Sequence, residues 1–179
     1  MFSKILIANR GEIAVRIIRA CKEMGVSTVA VYSEADKNSL HVALADQSLC
    51  IGGPEAKSSY LNEEGIVSAA ILSGAQAIHP GYGFLSENAH FARLCQKNGI
   101  VFIGPDPKQM ERLSDKAVLK ELIKGTGLSV IPGTRALSSP EEALSEAEKI
   151  GYPVMLKACA GGGGRGIRLI GSREDLVEA

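Results

Sequence analysis

An apolar run at residues 4 to 8, a tight charged turn, a stretch of helical periodicity and a second apolar run at 27 to 32 open the chain. Few folds accept that order. Ile13, Ile17, Ala20, Cys21 and Met24 recur at helical spacing, so the turn Asn9-Arg10-Gly11-Glu12 leads into a helix. Asn9 with Glu12 three residues later resembles a capping box, and Gly25 is placed to stop the helix. Strand, helix and strand make a β-α-β unit, in which parallel strands and a right-handed crossover are the expected outcome. The alternation continues with a short helix around Ser39 to Ala45, a strand near Ser48 to Ile51, and a helix from about Asn62 to Leu72 that Gly74 ends. A short strand at Ala77 and Ile78, a helix from about Glu87 to Lys97 stopped by Gly99, and a strand Ile100 to Ile103 follow. The predicted class is α/β, a Rossmann-like layer with a parallel sheet over roughly the first hundred residues.

Gly104-Pro105-Asp106-Pro107 is strong punctuation and is read as the end of a first domain, residues 1–107. Residues 108–131 read as a helical linker that carries Asp115 and Lys116, broken by Gly125 and Gly127, with a strand-like piece from Ser129 to Ile131. Taken alone, Lys116 is an ordinary solvated helix lysine. In the third part, 132–179, Ser139-Pro140-Glu141-Glu142 combines a cap, a proline at the first helical position and an acidic first turn, and Gly151 ends that helix. Ser172 to Asp175 resembles another capping box, so a further helix is starting as the sequence stops, and the chain reads as cut short.

Between those helices lies the stretch richest in chemistry. Val154 to Lys157 reads as a strand, Gly161, Gly162, Gly163, Gly164, Arg165 and Gly166 as a glycine-rich turn, and Ile167 to Ile170 as a second strand. Consecutive glycines let backbone N–H groups approach an anion with no Cβ in the way. The loop is not a Walker A motif, because no Lys-Ser or Lys-Thr follows the last glycine and apolar strand comes next. Alternation along the first strand puts Met155 and Lys157 on one face and Val154, Leu156 and Ala158 on the other. One face thus offers a cation and an apolar surface together, suited to a nucleotide's phosphate and base; the plain alternative is a flexible hairpin turn.

Composition excludes several classes. Twenty basic and twenty acidic residues balance, so no bulk field steers the chain to nucleic acid or an anionic membrane. The apolar runs are too short for a bilayer span and the start lacks a signal peptide's long apolar region, so the cytoplasm or an organelle matrix is expected. Cys21, Cys50, Cys95 and Cys159 fall at no metal-ligand spacing and sit mostly within apolar patterns, as reduced core thiols would. The turn after the first strand has one glycine where a dinucleotide fingerprint needs three, which demotes a nicotinamide-dependent dehydrogenase. Arg10 in that turn either faces a ligand or pairs with an acid of a neighbouring segment.

The loop His79-Pro80-Gly81-Tyr82-Gly83-Phe84-Leu85-Ser86-Glu87-Asn88 also follows a strand and concentrates an aromatic, a histidine and a carboxylate. A tight turn with Tyr82 and Phe84 packed inward and Ser86 capping the next helix is the structural reading, preferred for His79 and Phe84. For Tyr82, Gly83 and Glu87, packing and ligand contact both stay open.

This loop, the run Ile7 to Ala14, Phe102-Ile103-Gly104-Pro105, Asp115-Lys116, and Lys157 with Gly161 to Gly166 together resemble the N-terminal part of the biotin carboxylase family, over all 179 residues. That unit occurs as a subunit of acetyl-CoA carboxylase and within pyruvate and propionyl-CoA carboxylases. The resemblance implies a pre-ATP-grasp domain followed by the start of an ATP-grasp (α+β) lid subdomain. It implies that Lys116 and Lys157 bind ATP, that Met155 lies against the adenine, and that Gly161 to Gly166 with Arg165 form the mobile loop over the triphosphate. Tyr82 and Gly83 would lie near the biotin and bicarbonate side, and Glu87 would support an arginine from outside this chain. Ala160 departs from the pattern, where one more glycine is expected. The implied reaction activates bicarbonate with Mg-ATP as carboxyphosphate and carboxylates biotin on a biotin carboxyl carrier domain, with a carboxyltransferase as further partner and a homodimer as the parent assembly. The Mg2+ ligands and catalytic acids are expected outside this chain, which alone is then inactive. Carbamoyl-phosphate synthetase and other ATP-grasp ligases share the lysine and the glycine loop, and the 79–88 run is what distinguishes them. A non-catalytic dimerisation module, using the helix that bears Arg16 and Arg19, is the alternative from another class.

Overall fold

Strand β1 (Lys4–Ile7) is buried on both sides, and the first part of the molecule is built around it. Leu6 and Ala8 belong to one apolar cluster, while Ile5 and Ile7 belong to two others on the opposite face. A strand buried on both faces needs a layer of helices on each side. The computed structural model describes residues 1–114, 119, 123, 126–129, 131–158 and 166–179. They fall in two compact units, Met1–Ser114 and Asp115–Ala179.

In the first unit, β1 pairs in parallel with β2 (Ser27–Tyr32) and β4 (Ala77–His79), and the outer strands are β3 (Gln47–Cys50) and β5 (Val101–Phe102). The sheet order is β3-β2-β1-β4-β5, every pair parallel. Helix α1 (Gly11–Glu23) packs Ala14, Ile18 and Cys21 on the Ile5 and Ile7 side. Helices α3 (Glu63–Ser73) and α4 (Ala89–Lys97) place Ile66, Val67, Ala70, Phe91 and Cys95 in the cluster of Leu6, Val31 and Ile78. Each large aliphatic side chain so buried contributes about 1.5–3 kcal/mol. Between β2 and β3 lies α2 (Leu40–Leu44), and α5 (Pro107–Ser114) follows β5.

The α/β class and the parallel sheet agree with expectation, and several local readings do not. Asn9 does not cap α1; Arg10 holds the N-cap position without a side-chain cap bond, because the Asn9 side chain is drawn to a distant loop. Asn88, not Ser86, caps α4 by accepting from the Phe91 amide at 2.9 Å. Cys21 and Cys95 are buried thiols, whereas Cys50 is exposed and Cys159 lies outside the described residues. Ser129 and Ile131 are in irregular backbone, not a strand.

The second unit has α6 (Pro140–Ile150), an antiparallel hairpin of β6 (Val154–Lys157) and β7 (Ile167–Ile170), and α7 (Arg173–Glu178). Ser139 caps α6 by accepting from the Glu142 amide, and the Glu142 carboxylate accepts from Ser138. Ser172 caps α7 in the same way through the Asp175 amide. Arg173 and Glu148 form an ion pair between the two helices. No described helix is long and apolar enough to cross a membrane.

Candidate functional site

The sheet order makes β1 the point where strand progression reverses, toward β2 on one side and β4 on the other. Ligands of open α/β sheets bind outside the carboxyl ends of strands at such a point. Here two segments meet there: the turn after β1 and the loop after β4. The ladder runs one bond past the strands, Ala8 N–H to His79 O at 2.9 Å, and then Asn9 takes over. Asn9 is 1% exposed. Its Nδ2 donates to Pro80 O at 2.8 Å and Tyr82 O at 2.9 Å, while its Oδ1 accepts from Arg10 N–H. Both amide donors are used, so burial leaves no unpaired polar hydrogen.

Gly81 sits against this amide. At φ +65° a side chain is already disfavoured, and a Cβ would stand 2.7 Å from both Asn9 Nδ2 and Ile13 Cγ2. His79 Nδ1 accepts from Gly81 N–H at 3.0 Å. Burial holds the His79 pKa below its ordinary value, so the ring is neutral with its proton on Nε2. The structural reading of His79 as a brace of the turn holds.

On the other side of the turn, Arg10 takes the acid-pairing alternative. Its Nη1 donates to Asp36 Oδ2 at 3.3 Å, and its guanidinium lies 5.4 Å from the Tyr60 ring centroid and 5.6 Å from that of Phe84. Those two rings stack at 5.1 Å. The same Asp36 oxygen accepts from Tyr60 Oη at 2.7 Å and Ser33 Oγ at 2.9 Å. Burial would raise the Asp36 pKa, but the hydrogen bonds from Tyr60, Ser33 and Arg10 outweigh it and hold the carboxyl below its ordinary range. Tyr60 is fully buried, and burial followed by its bond to Asp36 pushes the phenol up to about 12. An exposed ion pair contributes only about 0–1 kcal/mol and an exposed cation–π contact about 0.5–1 kcal/mol. No one of these contacts holds Arg10 strongly; the shared carboxylate and the two rings act on it together.

Phe84 is the described non-glycine residue with positive φ, at +40°. For a bulky side chain this costs roughly 1–3 kcal/mol and persists only where neighbours impose it. Phe84 is part-buried against the main core, as expected. Tyr82 is not packed inward: it is 66% exposed, and its hydroxyl donates to Glu12 Oε1 at 3.0 Å, which raises its pKa. Gly83 and Glu87 are also exposed, so the loop presents Tyr82, Gly83 and Glu87 to solvent. Glu12, read from sequence as a capping partner, instead holds Tyr82.

In the second unit, β6 and β7 pair Met155 with Leu169 and Lys157 with Ile167. All four are exposed, while Val154 and Leu156 are half-buried and Ile170 is buried, which is the division of faces that alternation predicts. A lysine thus stands at the end of an exposed apolar strip of Met155, Ile167 and Leu169. Ala158 N–H donates to Gly166 O at 2.9 Å, and a Cβ on Gly166 would come within 2.9 Å of that of Ala158, so glycine is needed where the hairpin closes. Lys116, Gly161, Gly162, Gly163, Gly164 and Arg165 lie outside the described residues. A cavity of about 630 Å3 occurs elsewhere, among Phe2, Ile71, Gln76 and Val101, at the amino-terminal edge of the first sheet. None of the candidate residues lines it.

A family model described as "Biotin carboxylase, N-terminal domain" matches residues 1–110, which include both loops of the switch point. The chain belongs to the biotin carboxylase family. A second model, "Carbamoyl-phosphate synthase L chain, ATP binding domain", matches residues 115–179. Among curated relatives, "Biotin carboxylase 1" of Bacillus subtilis is 54% identical over 99% of this chain and 40% of its own length. The "2-oxoglutarate carboxylase small subunit" of Hydrogenobacter thermophilus is 55% identical over 99% of this chain and 38% of its own. The crystal structure of the Campylobacter jejuni biotin carboxylase-β,γ-ATP complex matches with a TM-score of 0.95 at 50% identity, covering 99% of this chain and 40% of that one. The Hydrogenobacter 2-oxoglutarate carboxylase biotin carboxylase domain dimer, in complex with MgADP, ADP and bicarbonate, matches with a TM-score of 0.94 at 55% identity, over 99% of this chain and 39% of that one. The chain thus spans about 40% of the length of these biotin carboxylase relatives.

Two of the structural residues, Asp36 and Tyr60, went unremarked in the sequence. An acid a few residues past β2 is the available signal, since that is where dinucleotide folds place a ribose-binding carboxylate. In this biotin carboxylase chain that acid is engaged by Arg10, Ser33 and Tyr60. Together with the missing glycines, this weighs further against a dehydrogenase.

Proposed function

We propose that this chain serves as the N-terminal part of an ATP-dependent biotin carboxylase, which activates bicarbonate as carboxyphosphate and carboxylates biotin on a carrier domain. The observation that carries the nucleotide half of this reading is the exposed strip Met155, Ile167 and Leu169 ending in Lys157, beside the glycine run. Its chemistry fits ATP: an apolar surface for a base and a cation for phosphate. Lys157, Lys116 and the amides of Gly161 to Gly166 with Arg165 would hold the nucleotide, and Met155 would lie against adenine. Positioning and charge neutralisation are most of what phosphoryl transfer requires. Tyr82, Gly83 and Glu87 would serve the biotin and bicarbonate side. Among the described residues no group of three or more His, Cys, Asp or Glu side chains is placed to hold a metal ion. No step is assigned to a magnesium ion.

The division proposed is 1–107 for the N-terminal domain, 108–131 for the linker and 132–179 for the lid subdomain. Partners in this reading are the biotin carboxyl carrier domain, a carboxyltransferase and a second copy of the enzyme, in the cytoplasm or the mitochondrial matrix. The test is steady-state kinetics of the full biotin carboxylase carrying this chain. Lys157→Gln and Lys116→Gln each remove a charge-assisted contact, so the KM for ATP rises about tenfold or more. Tyr82→Ala raises the KM for free biotin and leaves that for ATP in place. Unchanged ATP kinetics in both lysine variants would sink the assignment.

A further inference from the structure

We propose that Asn9 and Arg10, adjacent in the turn after β1, are positioning residues that set Tyr82 and Gly83. This rests on the reading that Tyr82 and Gly83 serve the biotin side. The two residues grip the loop from opposite ends. Asn9 holds the carbonyls of Pro80 and Tyr82, and Gly81 fits against its amide with no room for a side chain. Arg10 lies against the ring of Phe84, and Asp36 and Tyr60 keep it there. Phe84 at φ +40° would relax if nothing imposed that backbone, so the strain marks where the grip is applied. Tyr82 and Gly83 lie between the two grips, exposed to solvent, with Glu12 of the same helix turn on the Tyr82 hydroxyl. One short turn therefore dictates the course of a loop more than 70 residues away.

The test is amide hydrogen exchange read residue by residue, together with kinetics of the full biotin carboxylase carrying the same substitutions. In Arg10→Gln the amides of Ser86 and Asn88, which donate to Gly83 O and Leu85 O within the loop, exchange about tenfold faster or more, while those of β1 and β2 keep their protection. Asn9→Ala gives the same rise at Gly81, whose amide donates to His79 Nδ1. Arg10→Lys, which keeps the Asp36 pair and loses the planar ring contact, falls between wild type and Arg10→Gln and guards against loss of folding. Loop exchange that matches wild type in Arg10→Gln and Asn9→Ala overturns the proposal. In the kinetic arm the KM for free biotin rises about tenfold with the KM for ATP within about twofold, as expected when only one subsite is displaced. Faster loop exchange with an unchanged biotin KM upholds the positioning role and overturns the biotin reading of Tyr82 and Gly83.

Discussion

A single methyl group is enough to test the join between the two loops. Gly81→Ala puts a Cβ 2.7 Å from Asn9 Nδ2 and Ile13 Cγ2 in a left-handed backbone, and should lower the unfolding free energy by about 1–3 kcal/mol in urea titration without changing the slope. Titration gives a second prediction at this scale. His41 is fully buried with Nδ1 unpartnered, and burial lowers its pKa; Asp36 is also held low, by its three donors against burial, and Asp46 by Thr28. Depressed groups stabilise above their unfolded values and lose that contribution as pH falls. Stability should therefore decline as pH falls below the ordinary histidine value of 6.5 and steepen below the ordinary aspartate value of 3.8. Tyr60 has the opposite sign. Its pKa rises from 10.0 to about 12, so stability present below 10.0 is lost as pH climbs through that window, and Tyr60→Phe should reduce the alkaline loss. Cys95, also raised by burial to about 12, adds to the same limb, so Tyr60→Phe should not abolish it.

At the scale of elements, the caps and core contacts set how firmly each helix lies on the sheet. Asn88 both accepts from the Phe91 amide and donates to Glu63, joining the start of α4 to the start of α3. Asn88→Ala should cost about 1 kcal/mol as a lost cap, measured by the thermal midpoint. Phe91→Ala, emptying a fully buried site packed edge-on to Phe102, should cost about 3–5 kcal/mol. The elements were legible in sequence because their signals are local: apolar runs, helical spacing, and Gly25, Gly74 and Gly99 after three helices. The face of β6 that bears Met155 and Lys157 was legible for the same reason, since alternation is a property of the strand itself. Asn9 was misread because Asn-x-x-Glu is a local cap pattern, whereas its partners are Pro80 and Tyr82, a contact no window around residue 9 contains. Ser86 and Asn88 are both competent caps, and spacing alone does not choose between them. Arg10 and Asp36 meet only once β1 and β2 are side by side.

For the molecule as a whole, the two units bear different parts of the proposed work, the sheet-edge loop on one and the lysine strip on the other. Purified 1–179 should show no biotin-dependent ATP hydrolysis; a rate above a Lys157→Gln control would overturn that expectation. The bond from Asn9 to Pro80 spans 71 residues. The bond can form only once β1 and β4 lie side by side, so the entropy of closing the chain between them is met by strand pairing first. During synthesis the turn at residue 9 emerges early and waits for β4 before its amide has anything to hold. The loop's working shape is then a product of completed folding of this unit, and a misfolded or half-made chain cannot display Tyr82 and Gly83 in it. For a quality-control protease or chaperone, that means partly folded copies expose an unpaired asparagine and a slack loop instead of a competent surface.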